Sequence, residues 1–193
     1  MSQKRKFNIF EQFSIIYKAS ISFLFLKIFK KKNGMNFKLK ERIMLAVTEV
    51  NGCVMCSYVH TKLALKAGLT DKDIKEILEG ELVGVPKEEA LAVLFAKNYA
   101  FNKEIVDKEF YQKLIDHYGK RKARAVLGVT HVITMTNGMG ISLDLLKQTF
   151  TFKHVKGSCI LNEILVPILT MVLFPIFLII NVPVVPFVKL KHQ

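Results

Sequence analysis

Apolar positions recur at three- and four-residue intervals along most of this 193-residue chain, and strand-like alternation is nearly absent. Residues 4–32 read as a basic amphipathic helix. Phe7, Phe10, Phe13, Ile16, Ile21, Leu24 and Ile28 supply apolar positions, and Glu11, Lys18 and Ser22 a rough polar face. Its longest charge-free stretch, Ala19 to Leu26, is too short to cross a bilayer, so the pattern predicts a helix lying in the membrane interface. Glu11 and Lys18 interrupt the apolar run and no small-x-small site follows, which argues against a cleaved leader.

Helices are then expected over 38–50 and 53–67, separated by Asn51-Gly52, the second ending at Gly68. Thr70-Asp71-Lys72-Asp73 is an N-cap signature for a helix over 71–79, and Pro86 opens one over 87–101. Two more are expected, over 107–118 up to Gly119 and over 120–136 before Asn137-Gly138. The fold class is all-α. The expected organisation is a basic N-terminal helix (1–36), a helical domain (37–150) and a hydrophobic C-terminal segment (151–193) serving as a membrane anchor.

Residues 164–188 carry no charge, and at about 1.5 Å per residue such a run is long enough for a hydrocarbon core of roughly 30 Å. Pro167, Pro175, Pro183 and Pro186 interrupt it, while Lys153, Lys156, Lys189 and Lys191 bracket it. Three readings stay open: a single span, a re-entrant hairpin bent at Pro175, and an apolar tail that packs in an oligomer. Both flanks are basic, so charge sets no orientation.

Charge sharpens this division. Of the net +13, residues 1–42 contribute +9, residues 43–152 contribute +1 and residues 153–193 contribute +3. The middle is therefore an ordinary neutral domain with basic flanks, and lysines interleaved with Phe, Leu and Ile point to membrane lipid. No nucleic-acid partner is expected, because the run Lys120-Arg121-Lys122-Ala123-Arg124 lacks interleaved aromatics and reads as a solvated helix face.

Three cysteines, Cys53, Cys56 and Cys159, form one tight pair and a lone thiol, which is not a disulfide framework. Such a pair is most at home in the cytosol. Cys53 to Cys56 is i, i+3 and Cys56 to His60 is i, i+4, so all three side chains line one face of a helix. A break at Asn51-Gly52 sets Cys53 at the new helix's start, where unpaired N–H groups and the dipole stabilise a thiolate. His60 is placed to accept or return a proton, and the second cysteine to resolve an oxidised first one. Either Glu41 or Glu49 can complete a relay with His60, and a chain break before Cys53 favours Glu41. Core filling by the cysteines and a zinc site on Cys53, Cys56 and His60 are the competing readings; a second ligand segment for zinc is lacking, and no metal or cofactor is expected. Ser57 stands where a covalent haem needs His. His131 reads as a hydrogen-bonded core residue, and His154 as solvated.

The pattern Glu41-x11-Cys53-x2-Cys56-x3-His60, with Asn51-Gly52 before the first cysteine, resembles the AhpD-like branch of the carboxymuconolactone decarboxylase family. The resemblance covers roughly residues 37–147. Val85-Pro86-Lys87 to Asp144 looks like the later helices of that family, and Asn137 falls where many members carry an Asn. It implies an AhpD-like helical bundle, assembled as homo-trimers or hexamers. It implies hydroperoxide reduction with a dithiol reductant, dihydrolipoamide-like or thioredoxin-like. By analogy Cys56 attacks the peroxide, Cys53 resolves it, and His60 with Glu41 relays the proton. The peroxidase members carry a second His inside the Cys-x-x-Cys, where this chain has Met55. The alternative from another class is a non-catalytic, membrane-docked oligomerisation or redox-sensing module.

Overall fold

The computed structural model describes residues 5–151, 155 and 157–183, and those residues fold into seven helices with no strand. They are α1 (Ile9–Ile28), α2 (Phe37–Asn51), α3 (Val54–Lys66), α4 (Asp71–Leu78), α5 (Lys87–Phe101), α6 (Lys108–Phe150) and α7 (Ile160–Asn181). The expected bracketing residues Lys153, Lys156, Lys189 and Lys191, together with His154 and Pro186, lie outside the described residues.

Local chemistry sets most boundaries. Asn8 caps α1 through a capping box with Glu11. Asn36 accepts from the Leu39 amide at the start of α2, and Thr70 with Asp73 forms the box that opens α4. The Asp73 carboxylate, accepting from the Thr70 amide, is held below the usual carboxylate range by that bond. Gly52 stops α2 with a left-handed backbone (φ 73°), which a residue without Cβ adopts at little cost.

One expected stop is absent. Asn137-Gly138 does not end a helix: α6 runs on to Phe150, and its one non-helical residue is Gly119. The reason is tertiary. Asn137 is buried and its side-chain oxygen accepts from Thr48 of α2. A Cβ on Gly138 would overlap the carboxamide of Gln12 on α1, so this glycine lets α1 sit close against α6.

α6 is the central element, touched by α1, α2, α3, α5 and α7. One core layer joins α2, α4, α5 and α6 through Leu39, Ile43, Ile74, Ala92, Phe95 and Val126. A second joins α1, the start of α3, α6 and α7 through Ile15, Ile16, Cys56, Met135, Ile141 and Leu169. Polar pins fix the second layer. Gln12 donates to Thr170 Oγ1 and to the Met135 carbonyl, and Asn181 donates to Ser20. Phe13 and Tyr17 both meet the ring of Phe177 edge-on.

α7 passes through Pro167 and Pro175 as one helix, so the chain does not turn back at Pro175. By length and composition α1, the apolar part of α6 and α7 each suffice to cross a membrane, which corrects the expectation that the first helix is too short to do so. Their burial differs. Most of the α6 window is enclosed by protein, whereas α7 leaves Ile164, Ile168, Met171, Val172, Ile176 and Ile179 exposed. An apolar face of that extent marks a lipid or protein contact.

Candidate functional site

The site starts from a tight helical turnaround. α2 ends at Gly52, Cys53 becomes the N-cap of α3, and the chain reverses so that α3 runs back along α2. Cys53 Sγ accepts from the Cys56 amide at 3.3 Å, doing with sulfur what Ser or Asp does at other caps. Cys53 and Cys56 are joined in a disulfide and are only 2% and 6% exposed. Cys56 Sγ lies 3.7 Å from the Thr136 carbonyl of α6, where a reduced thiol could donate. Gly140, one turn on, makes room for the pair: a Cβ there would stand 2.8 Å from Cys53 Sγ and 3.1 Å from Cys56 Sγ.

One further turn along α3 stands His60. Its Nδ1 is 2.7 Å from Glu41 Oε2, and the Glu41 carboxylate is fully buried. The antiparallel course of α2 and α3 creates this contact between residues nineteen positions apart. Glu49, the other carboxylate considered, points elsewhere and pairs with Lys97 of α5 at 3.5 Å. The break at Gly52 is the cause, because it takes Glu49 off the helix that carries Cys53 and His60. Glu41 Oε1 has no hydrogen-bond partner; Lys40 Nζ stands 3.9 Å away. Met55 is exposed beside the pair, as are Val54, Tyr58 and Val59 on the outer side of α3.

Several neighbours were not legible in the motif. The N-terminal strand of chain before α1 lies over the turn: the Arg5 amide donates to the Asn51 carbonyl, and Phe7 packs in the same cluster as both cysteines. The Arg5 guanidinium is clamped by Glu104 and stacks over Phe7. The Thr48–Asn137 bond and the fully buried Asn51 line the polar side of the turn. The helical glycines Gly138 and Gly140 carried a signal, since glycine inside a helix costs about 1 kcal/mol against alanine and asks for a close approach. Cys159 stands apart at the start of α7, exposed and free. Among the described residues no three His, Cys, Asp or Glu side chains gather as a metal-binding group.

His131 sits away from this cluster. Its Nδ1 shares a hydrogen bond with Ser22 (2.8 Å) and its ring lies tilted against Tyr99. Burial, aided by the positive charge of Lys18, pushes its pKa down to about 3. An unfolded His titrates near about 6.5, so on acidification the unfolded chain takes the proton first. His131 therefore supports the fold above about pH 6.5, and that support fades as pH falls toward 3. At pH 5 the loss is roughly 2 kcal/mol. Denaturant unfolding at pH 7 and pH 5 should show it for the wild type and lose most of it in His131→Gln; equal pH slopes would contradict the assignment.

The arrangement can hold two sulfurs in a reversible bond beside a carboxylate-oriented imidazole, under apolar cover. Comparison with curated proteins and with solved structures gives no match. Comparison with family models does. Residues 16–97, which run from within α1 into α5, match the carboxymuconolactone decarboxylase family. The matched segment begins upstream of the Glu41-to-His60 pattern, so part of α1 falls within it, and it ends at Lys97, short of the stretch to residue 147 over which the resemblance was expected. The matched residues, under half of the chain, hold Glu41, Cys53, Cys56 and His60 together, and in that segment the chain is similar to the carboxymuconolactone decarboxylase family.

Proposed function

We propose that the protein is a membrane-associated thiol oxidoreductase that reduces organic hydroperoxides through Cys53 and Cys56. The observation that carries this reading is the convergence, on one helical hairpin, of a paired Cys-x-x-Cys at a helix start and a His60–Glu41 dyad one turn away. In the reduced enzyme the Cys56 thiolate attacks the outer oxygen of ROOH. The O–O bond breaks, Cys56 becomes a sulfenic acid, and the alkoxide leaves as ROH with a proton from His60. Cys53 then attacks the Cys56 sulfur, forming the disulfide and releasing water. A dithiol of the dihydrolipoamide or thioredoxin type takes up the oxidation and restores both thiols. Each turnover consumes one hydroperoxide and one dithiol.

Membrane lipid as a partner rests on the apolar outer side of α7 together with the basic N-terminal region. A bilayer surface makes lipid hydroperoxides the natural class of substrate. A homo-oligomer is in keeping with the exposed Val54, Met55, Tyr58 and Val59 on α3.

The test is a single-turnover reaction. Fully reduced protein mixed with one equivalent of cumene hydroperoxide should yield one cumyl alcohol per Cys53–Cys56 disulfide, identified by peptide mass spectrometry, with Cys159 still open to alkylation. Two free thiols at 53 and 56 and no alcohol would remove the reading and leave a non-catalytic docked module in its place.

A further inference from the structure

A cavity of about 520 Å³ opens where the C-terminal half of α1, the turn before α2 and the middle of α6 meet. Its enclosed side is apolar: Met44 of α2 and Val129 of α6 are buried, with Phe23 and Leu26 of α1 beside them. Its open side is cationic, with Lys27, Lys30 and Lys40 among the lining residues and no acidic side chain there. Among the described residues Lys27 and Lys30 have no carboxylate partner; the Lys27 ammonium merely stands over the Phe23 ring at 5.4 Å. Lys40 is 3.9 Å from buried Glu41, and its ammonium also faces the Phe37 ring. The asparagines of the wall are already engaged: Asn33 accepts from the Met35 amide, and Asn36 from the Leu39 amide.

An apolar slot with two uncompensated ammonium groups at its mouth selects a particular ligand chemistry. A neutral hydrocarbon leaves the cations unanswered, and a small anion leaves the apolar wall wet. One molecule that meets both needs is an acyl chain ending in an anion, and the volume lies within the range of small-ligand pockets. We propose that this cavity binds a single-chain acyl carboxylate, a long-chain fatty acid, with its tail against Met44 and Val129 and its carboxylate between Lys27 and Lys30. The site is separate from the Cys53–Cys56 pair, and it stands or falls without the redox reading, because occupancy is measured without turnover.

The chain contains no tryptophan, which makes an introduced indole a unique reporter. Phe37 lines the cavity at its open side, and Phe101 lies exposed at the far end of α5. Full-length F37W and F101W proteins in phosphatidylcholine nanodiscs are titrated with 9,10-dibromostearic acid and with its methyl ester. The F37W indole should be quenched saturably by the acid and about tenfold more weakly by the ester, a ratio that fits loss of the charge-assisted contacts. The F101W indole should not respond. In the F37W background, Lys27→Gln with Lys30→Gln should weaken the acid about tenfold toward the ester's level. Both lysines are exposed, so these changes leave the fold intact, and Val129→Phe, which fills the enclosed side, should remove saturation. Equal quenching by acid and ester, or equal quenching at both positions, means partition into the bilayer only and overturns the proposal.

Discussion

Cys56→Ser is expected to abolish dithiol-dependent hydroperoxide consumption, lowering turnover by at least about a thousandfold. A serine hydroxyl is un-ionised near neutral pH and is no nucleophile toward a peroxide oxygen, so the attacking group itself is lost. The fold should survive, because Cys56 packs with its Sγ against the Thr136 carbonyl and a hydroxyl fits that contact. Cys53→Ser should behave differently. It keeps a cap acceptor at the start of α3 and still gives about one alcohol per protein, after which Cys56 stalls as a sulfenic acid and moves on to sulfinic acid. The measurement is alcohol formed per protein with and without dihydrolipoamide, read beside the mass of the Cys56 peptide. Sustained turnover by Cys56→Ser would sink the mechanism, and a burst from Cys56→Ser with none from Cys53→Ser would exchange the roles of the two sulfurs.

Glu41→Gln should lower kcat by about 10² to 10³ with little change in KM, the scale of loss seen when a positioned proton relay is disabled. The carboxylate accepts from His60 Nδ1, which fixes the tautomer and leaves Nε2 free to handle a proton. A glutamine of the same shape can turn its amide nitrogen toward Nδ1 and so stabilise the opposite tautomer. It brings no charge, so it also relieves the burial of an ionised group whose Oε1 has no hydrogen-bond partner. Stability should therefore change little or rise while turnover falls, and that divergence separates a positioning role from a structural one. Thermal melting and steady-state kinetics on one preparation give both numbers. A folded Glu41→Gln protein with unchanged kcat would show that His60 works without it.

The local half of this architecture was legible because its causes are local. Thr70 announces a helix start through its own side chain, and Asn51-Gly52 announces a stop through its turn chemistry, whereas the Asn8 and Asn36 caps lay outside the expectation, which started the first helix at residue 4. Once the stop at Gly52 is read, geometry prefers Glu41 to Glu49 as the partner of His60, and the structure places Glu41 there. The failures are tertiary. Asn137-Gly138 has the composition of a turn, yet it lies inside α6, because Thr48 and Gln12 approach from other helices and need an amide and a missing Cβ. Nothing in residues 5–12 indicates that Arg5 will reach the Asn51 carbonyl or that Gln12 will reach Thr170. Pro175 marks a possible bend, and whether the helix turns there depends on neighbours such as Phe174 and Phe177, which meet Phe23 and Tyr17 of α1.

Cys53 Sγ is at once one member of a disulfide and the acceptor that closes the first turn of α3. The S–S bond ties residues 53 and 56 covalently across the turn that this N–H contact closes, so gaining two electrons loosens that turn and losing them tightens it. The Cys56 amide proton thus becomes a gauge of electron count. Its exchange with solvent deuterium should quicken on reduction and slow on oxidation, and the oxidation state of this protein is written in the backbone of a helix as well as in its sulfurs.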